Sequence, residues 1–331
     1  MSEKQRVGQL LMVDCPTTGV TAATTDAISR YAVGSVILDG TSSAGVQETA
    51  VVTRNLQSLA PKGTKLFIAT DQEGGQVQRL QGPGFTRIVS GVQQGAITPA
   101  RLEGFARGWG AQLVQAGVNV NLAPVLDTVP ANFGTNPPIG DLDREYGHTP
   151  AVVAPHVAAF VRGMNAGGVE TSVKHFPGLG RATGNTDLAR NVTDPTTKRS
   201  PYLRPFRAGV DAGSSFVMVS SATYPHIDKT HRACFSRTVI GSMLRGQLGF
   251  DGVVVSDDLG AVALKPLSWG TRATRFIDAG GTMLLTVTTA HVGAMTKAVR
   301  SRAAASPAFA AKVKAAVMTV LVAKAQAGLL S

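Results

Sequence analysis

Eight short apolar runs, separated by helix-like stretches and each ending in polar or glycine residues, constrain the fold of this 331-residue chain more than any other feature. They occupy residues 9–14, 34–39, 65–71, 118–127, 169–175, 216–221, 252–257 and 282–287. Continuous stretches such as Val253-Val254-Val255 suit strands buried on both faces, which a parallel sheet covered by helices requires. Amphipathic candidates lie between the runs at 99–117, 151–167, 200–213 and 236–249, and a closing helix rich in Ala, Lys and Val is expected over 307–328. Strands alternating with helices predict an α/β fold, a (β/α)8 barrel of the TIM type, with an open doubly wound sheet as the alternative. Such a barrel takes about 250 residues, so the chain suffices for one with extensions. No internal repeat, low-complexity tract or Pro/Ser linker divides it, and a single domain over 1–331 is expected.

Active sites of these barrels collect at the C-terminal ends of the strands, and several runs end in the chain's densest ionisable residues. The third ends in Asp71-Gln72-Glu73-Gly74-Gly75, the fourth in Asn121 through Asp127, the fifth in Lys174-His175, the sixth in Ser220-Ser221 and the seventh in Ser256-Asp257-Asp258. Any one of these acids serves equally well as a helix cap or a loop ion pair, and Asp127 and Asp258 are assigned to that structural role. Capping does not explain why so many converge on one face. After His175 the chain breaks at Pro177, Gly178 and Gly180, which predicts a flexible, glycine-rich loop carrying charge as far as Asp187.

Hydrophobic residues make up 44% of the chain, enough for a large core and too many for disorder. Cys15 and Cys234 stand far apart with no second Cys or His at ligand spacing, so neither a disulfide framework nor a zinc site is expected. Both read as small buried apolar residues, and no metal or cofactor is predicted. Lys and Arg outnumber Asp and Glu by 32 to 21, a formal charge of +11. These cations are scattered and no recognition helix or stacking pattern accompanies them, so nucleic acid is not expected as a partner; an acidic polymer such as cell wall suits the charge better. The run Leu10-Leu11-Met12-Val13 is too short for a membrane span or a signal-peptide core. The chain as it stands carries no address, which reads as cytoplasmic, with export after loss of a leader as the alternative. A monomer is expected.

In order along the chain, Asp71-Gln72-Glu73-Gly74-Gly75-Gln76-Val77-Gln78-Arg79, Asn121 to Asp127, Asp143-Arg144, Lys174-His175-Phe176-Pro177-Gly178, Tyr224-Pro225 and Gly249 through Leu259 form a specific set. With them the chain resembles glycoside hydrolase family 3, and within it the single-domain β-N-acetylglucosaminidases of the NagZ type, from Val7 to the final helix. The resemblance implies a barrel, retention of anomeric configuration, no metal, and removal of terminal GlcNAc from cell-wall fragments as the small carbohydrate substrate. Carried over by position, it makes Asp257 the nucleophile that forms a glycosyl-enzyme, a role suited to an ionised carboxylate at a strand end. Asp71, Arg144, Lys174 and His175 match the sugar-binding residues, and Arg79 looks like a further pocket residue. Sugar hydroxyls need both acceptors and donors, and ionised partners make the stronger bonds.

The chain departs from that family pattern in the loop. Similar proteins carry Asp-x-His as the acid/base pair where this chain has Asn185-Thr186-Asp187, and His where it has Leu179. Three readings stand: Asp187 is itself the general acid, another side chain or the substrate supplies the proton, or the loop has lost its acid. The first needs the Asp187 pKa lifted by burial or by Asp257, whereas Arg181, Arg190 and the Asn185 amide are expected to hold it down. Two other classes are compatible with the residues. Lys174 at a strand end suits a Schiff-base lyase, and Asn185 with Asp187 suits a non-catalytic muropeptide-binding protein. Transfer of the sugar to phosphate instead of water is a further variant of the hydrolase reading.

Overall fold

Each apolar run contributes one strand: β1 (Leu11–Pro16), β2 (Ser35–Asp39), β3 (Phe67–Thr70), β4 (Val120–Asn121), β5 (Glu170–Phe176), β6 (Phe216–Val219), β7 (Val253–Ser256) and β8 (Leu284–Thr286). The computed structural model describes residues 1–330. All neighbours pair in parallel in sequential order, and β8 returns to β1. The ring closes where Val255 bridges Met283 and the Ser256 N–H donates to the Met283 carbonyl at 2.9 Å. A doubly wound sheet reverses its strand order in the middle, so sequential order all the way round excludes it. The fold is a (β/α)8 barrel.

Val253, Val254 and Val255 are fully buried, one face of β7 turned into the barrel and the other against the helices. Helices Pro99–Gln115 and Pro150–Ala166 pack on each other, each opening with threonine at the cap and proline in its first turn, where a missing N–H costs nothing. The expected helix over 200–213 is divided into a 3₁₀ turn, Pro201–Leu203, and a helix, Arg204–Asp211. The one expected over 236–249 is a π-helix, Thr238–Gln247. The long run 118–127 yields only two strand residues because Pro124 has no N–H to give the ladder; pairing resumes with Val125 opposite Lys174. Two short hairpins, Gln72–Gly74 with Val77–Gln78 and Thr223–Tyr224 with Asp228–Arg232, follow β3 and β6 and have no counterpart in the sequence reading.

The closing helix, Pro307–Gln326, is fastened to the opposite, N-terminal end of the barrel by a buried lysine. Lys324 Nζ donates to Gln9 Oε1 at 2.7 Å, to the Gly34 carbonyl at 2.8 Å and to the Lys65 carbonyl at 2.7 Å, just before β1, β2 and β3. Cys15 and Cys234 are both free and buried. Among the described residues no helix is long and apolar enough to cross a membrane.

Candidate active site

At the C-terminal ends of the strands a cavity of about 440 Å³ brings together all the residues singled out in the sequence: Asp71, Arg79, Arg144, Lys174, His175, Asp187 and Asp257. Parallel strands deliver their ends to one rim, so residues up to 186 positions apart in the chain become neighbours without any local signal linking them.

One wall is an ion-pair lattice centred on Glu73, which the sequence reading quoted but did not select. Glu73 leaves the end of β3 in the first hairpin, which turns at Gly74 and Gly75 with φ of 114° and 57°, angles that favour glycine. Arg144 grips its carboxylate in a bidentate fork, Nε to Oε2 at 2.8 Å and a terminal nitrogen to Oε1 at 2.7 Å. Lys174 Nζ reaches Glu73 Oε1 at 2.6 Å and Asp71 Oδ1 at 2.5 Å. Burial pushes the Glu73 pKa up, but Arg144 and Lys174 outweigh it and hold the carboxyl well below the usual range. Burial likewise pulls Lys174 down, and Asp71 and Glu73 more than restore it, leaving its pKa raised. An amine held protonated in this way is a poor Schiff-base nucleophile. Arg79, by contrast, has its Nε buried without a protein partner, while its side chain lines the cavity.

The other wall holds the acids. Asp257 directly follows β7, walled in by protein but open to the cavity. Burial lifts its pKa to about 6, with Asp187 adding to the rise and His175 opposing it. Asp187 stands at the mouth, its surface partly in solvent while the cavity walls crowd its carboxyl; burial raises its pKa too, against His175 and Arg144. Its open side lets water moderate that push. The expected depression by Arg181, Arg190 and Asn185 does not occur. Arg181 turns away, giving a terminal N–H to Thr196 Oγ1 at 2.7 Å and stacking over Tyr202, and the Asn185 side chain accepts the Asp187 backbone N–H at 2.8 Å. Asp258 caps a turn, as expected, accepting from Gly260 N–H at 2.9 Å and Val287 N–H at 3.2 Å.

The loop expected to be flexible is anchored at its base. Gly178, Leu179 and Gly180 are buried; Asn136 donates to the carbonyls of Leu179 at 2.9 Å and Ala182 at 2.7 Å, and the Tyr224 hydroxyl donates to the Gly178 carbonyl at 2.8 Å. A Cβ on Gly180 would lie 2.1 Å from the Thr128 carbonyl oxygen, so only glycine permits this approach. Asp127, read from sequence as a cap, is fully buried beneath the loop and accepts His175 Nδ1–H at 2.7 Å and the Leu179 N–H at 2.7 Å. The peptide between Lys174 and His175 is cis, and both side chains line the cavity.

A closed parallel barrel with acids on one side of its mouth and an Asp, Glu, Lys and Arg lattice on the other has counterparts among known proteins. The glycosyl hydrolase family 3 N-terminal domain matches residues 3–322. A β-hexosaminidase of Xylella fastidiosa (strain M12) is 35% identical over 265 residues, which covers 77% of this chain and 76% of that one. The crystal structure of a β-N-acetylhexosaminidase from Beutenbergia cavernae DSM 12333 superposes with a TM-score of 0.96 at 46% identity, covering 98% of this chain and 99% of its counterpart. That of a family 3 β-N-acetylglucosaminidase from Paenibacillus sp. str. FPU-7 superposes at 0.90 with 30% identity, over 99% of this chain and 63% of the other. Fold, order of segments and sequence identity agree along nearly the full length, and the chain therefore belongs to glycosyl hydrolase family 3.

Proposed function

We propose that this glycosidase is a retaining exo-β-N-acetylglucosaminidase that removes terminal GlcNAc from peptidoglycan-derived sugars, with Asp257 as nucleophile and Asp187 as acid/base. The observation that carries the reading is the sharing of one cavity by these two carboxylates, opposite the Asp71, Glu73, Arg144 and Lys174 lattice. The names of its relatives as hexosaminidases and glucosaminidases support the sugar class.

In the first step Asp187 gives its proton to the glycosidic oxygen as the bond from that oxygen to C1 breaks, and an Asp257 oxygen forms a bond to C1. Esterification removes the Asp257 charge, so Asp187 no longer pays a repulsion for ionising and its pKa falls. It can then take a proton from the water that attacks C1 and frees Asp257. The cavity lining holds the carboxylates Asp39, Asp71, Glu73, Asp187, Asp257 and Asp258 against the cations Arg79, Arg144 and Lys174, a balance that favours water over phosphate as acceptor.

The test is GlcNAc release from a β-1,4-linked GlcNAc-MurNAc disaccharide and from an aryl GlcNAc glycoside, by wild type and Asp257→Asn. Turnover of both, lost in the variant and yielding the β-anomer first, is the expected result. Turnover of the aryl glycoside alone would show that Asp187 supplies no proton, and tight sugar binding without turnover would replace the hydrolase with a binding protein.

A further inference from the structure

Asp127 and His175 form a buried pair that the reaction outlined above does not use. Asp127 comes from the segment after β4, is fully buried, and has its carboxylate committed to the turn that follows β5: to His175 Nδ1 and the Leu179 N–H, and at 3.3 Å to the His175 N–H. A carboxylate on Nδ1 selects the tautomer and orientation of an imidazole and stabilises a positive charge on it. The other ring nitrogen, Nε2, has no hydrogen-bond partner among the described residues, while the side chain lines the cavity that contains Asp187 and Asp257. The groups facing this pair are Asp187 from the loop, Asp257 just after β7, Tyr224 from the second hairpin and Arg144, which interacts with Asp127 itself, while Arg144 and Asp71 also act on Asp187.

We propose that Asp127 is a positioning residue that holds His175 with Nε2 turned to the cavity, where a single imidazole acts on both Asp187 and Asp257. This rests on the assignment of those two acids as the reacting pair. The three side chains line one cavity, which makes His175 the common neighbour of the two acids, and a positive imidazole there opposes the upward push of burial on each. The consequence is specific. Weakening the pair relaxes both acids in the same direction, so both limbs of the activity profile move together.

Asp127→Asn tests this, because the amide keeps the volume but cannot stabilise a positive imidazole. We expect kcat/KM to fall about 10- to 100-fold, within the range that general acid/base catalysis supplies, and both limbs of its pH profile to move up by about 0.5 to 1 unit. A purely structural role would lower thermal stability or the active fraction and leave both limbs in place, which overturns the proposal. A second readout needs no activity: ring ¹⁵N shifts of wild type, with the His175 signals assigned by His175→Gln, should show the neutral ring with its proton on Nδ1, beside Asp127, and none on Nε2. The reverse tautomer would also overturn it. A wild type with no glycosidase activity but the expected tautomer would remove the functional reading and leave the positioning of His175 standing.

Discussion

Glu73→Gln is the sharpest single test of how the ion-pair wall of the cavity is built. The substitution conserves volume, so it leaves no cavity; it removes one charge from beneath two cations. Arg144 loses a bidentate partner at 2.7 and 2.8 Å and Lys174 one of its two carboxylates. Removing one member of a buried ion pair costs about 3–5 kcal/mol because the remaining charge stays desolvated. At roughly 2 °C per kcal/mol for a chain of this size, the melting temperature should drop by about 6–10 °C. The exposed pair Arg162 and Glu103 is the control: Glu103→Gln should cost less than about 1 kcal/mol. With its two cations released, the variant should also show KM on an aryl GlcNAc glycoside raised about tenfold, ~1.4 kcal/mol. The Glu73 carboxyl sits below its ordinary 4.5 in the folded protein, so its contribution is full above that pH and is lost as pH falls further. Differential scanning calorimetry at pH 7 and at stepwise lower pH should therefore find the wild-type and variant melting temperatures converging below about pH 4.5. An unchanged melting temperature and KM at pH 7 would refute the lattice as an energetic unit.

As the proposed nucleophile, Asp257, whose carboxyl burial pushes up to about 6, must be ionised, so kcat/KM should decline as pH falls through about 6; a flat profile down to pH 4.5 would count against it. Asp187→Asn should slow disaccharide cleavage by about 10² to 10⁴-fold while sparing glycosylation by an aryl substrate with a good leaving group, a split visible in pre-steady-state bursts. Burial lowers the Lys324 pKa to about 7 from 10.5, so the unfolded chain binds the extra proton between those values and stability should rise with pH across that window, relative to Lys324→Met, in urea titrations. Gly180→Ala places a methyl against the Thr128 carbonyl and should cost about 1–3 kcal/mol, seen as lost activity before lost fold because the displaced segment carries Asp187.

Much of this molecule was legible in the order of its residues. Runs such as Val253-Val254-Val255 have few places to go other than a strand covered on both sides, and a regular alternation with helices leaves the barrel as the economical closure. Asp71, Lys174 and Asp257 could be assigned to one site before any distance was known, since each terminates a strand and parallel strands share a rim. Pro177, Gly178 and Gly180 marked where the β5 ladder stops, whereas the interruption of the run 118–127 at Pro124 was not read.

Partner choice was not legible. Glu73 stands two residues beyond Asp71 in a hairpin with no periodic signal, and only its meeting with Arg144, 71 positions away, makes it the centre of the wall. Arg181 lies six residues before Asp187 yet bonds elsewhere, and Asn185 accepts only the Asp187 backbone N–H, so the charge state of that acid is governed by burial, His175 and Arg144 instead. Asp127, indistinguishable in sequence from a cap, becomes the support of His175, 48 positions on. The division has a physical basis. Strand and helix periodicity and the steric limits of proline and glycine act between near neighbours and are written in the chain, whereas ion pairing and desolvation depend on distances and burial that exist only once the barrel has closed.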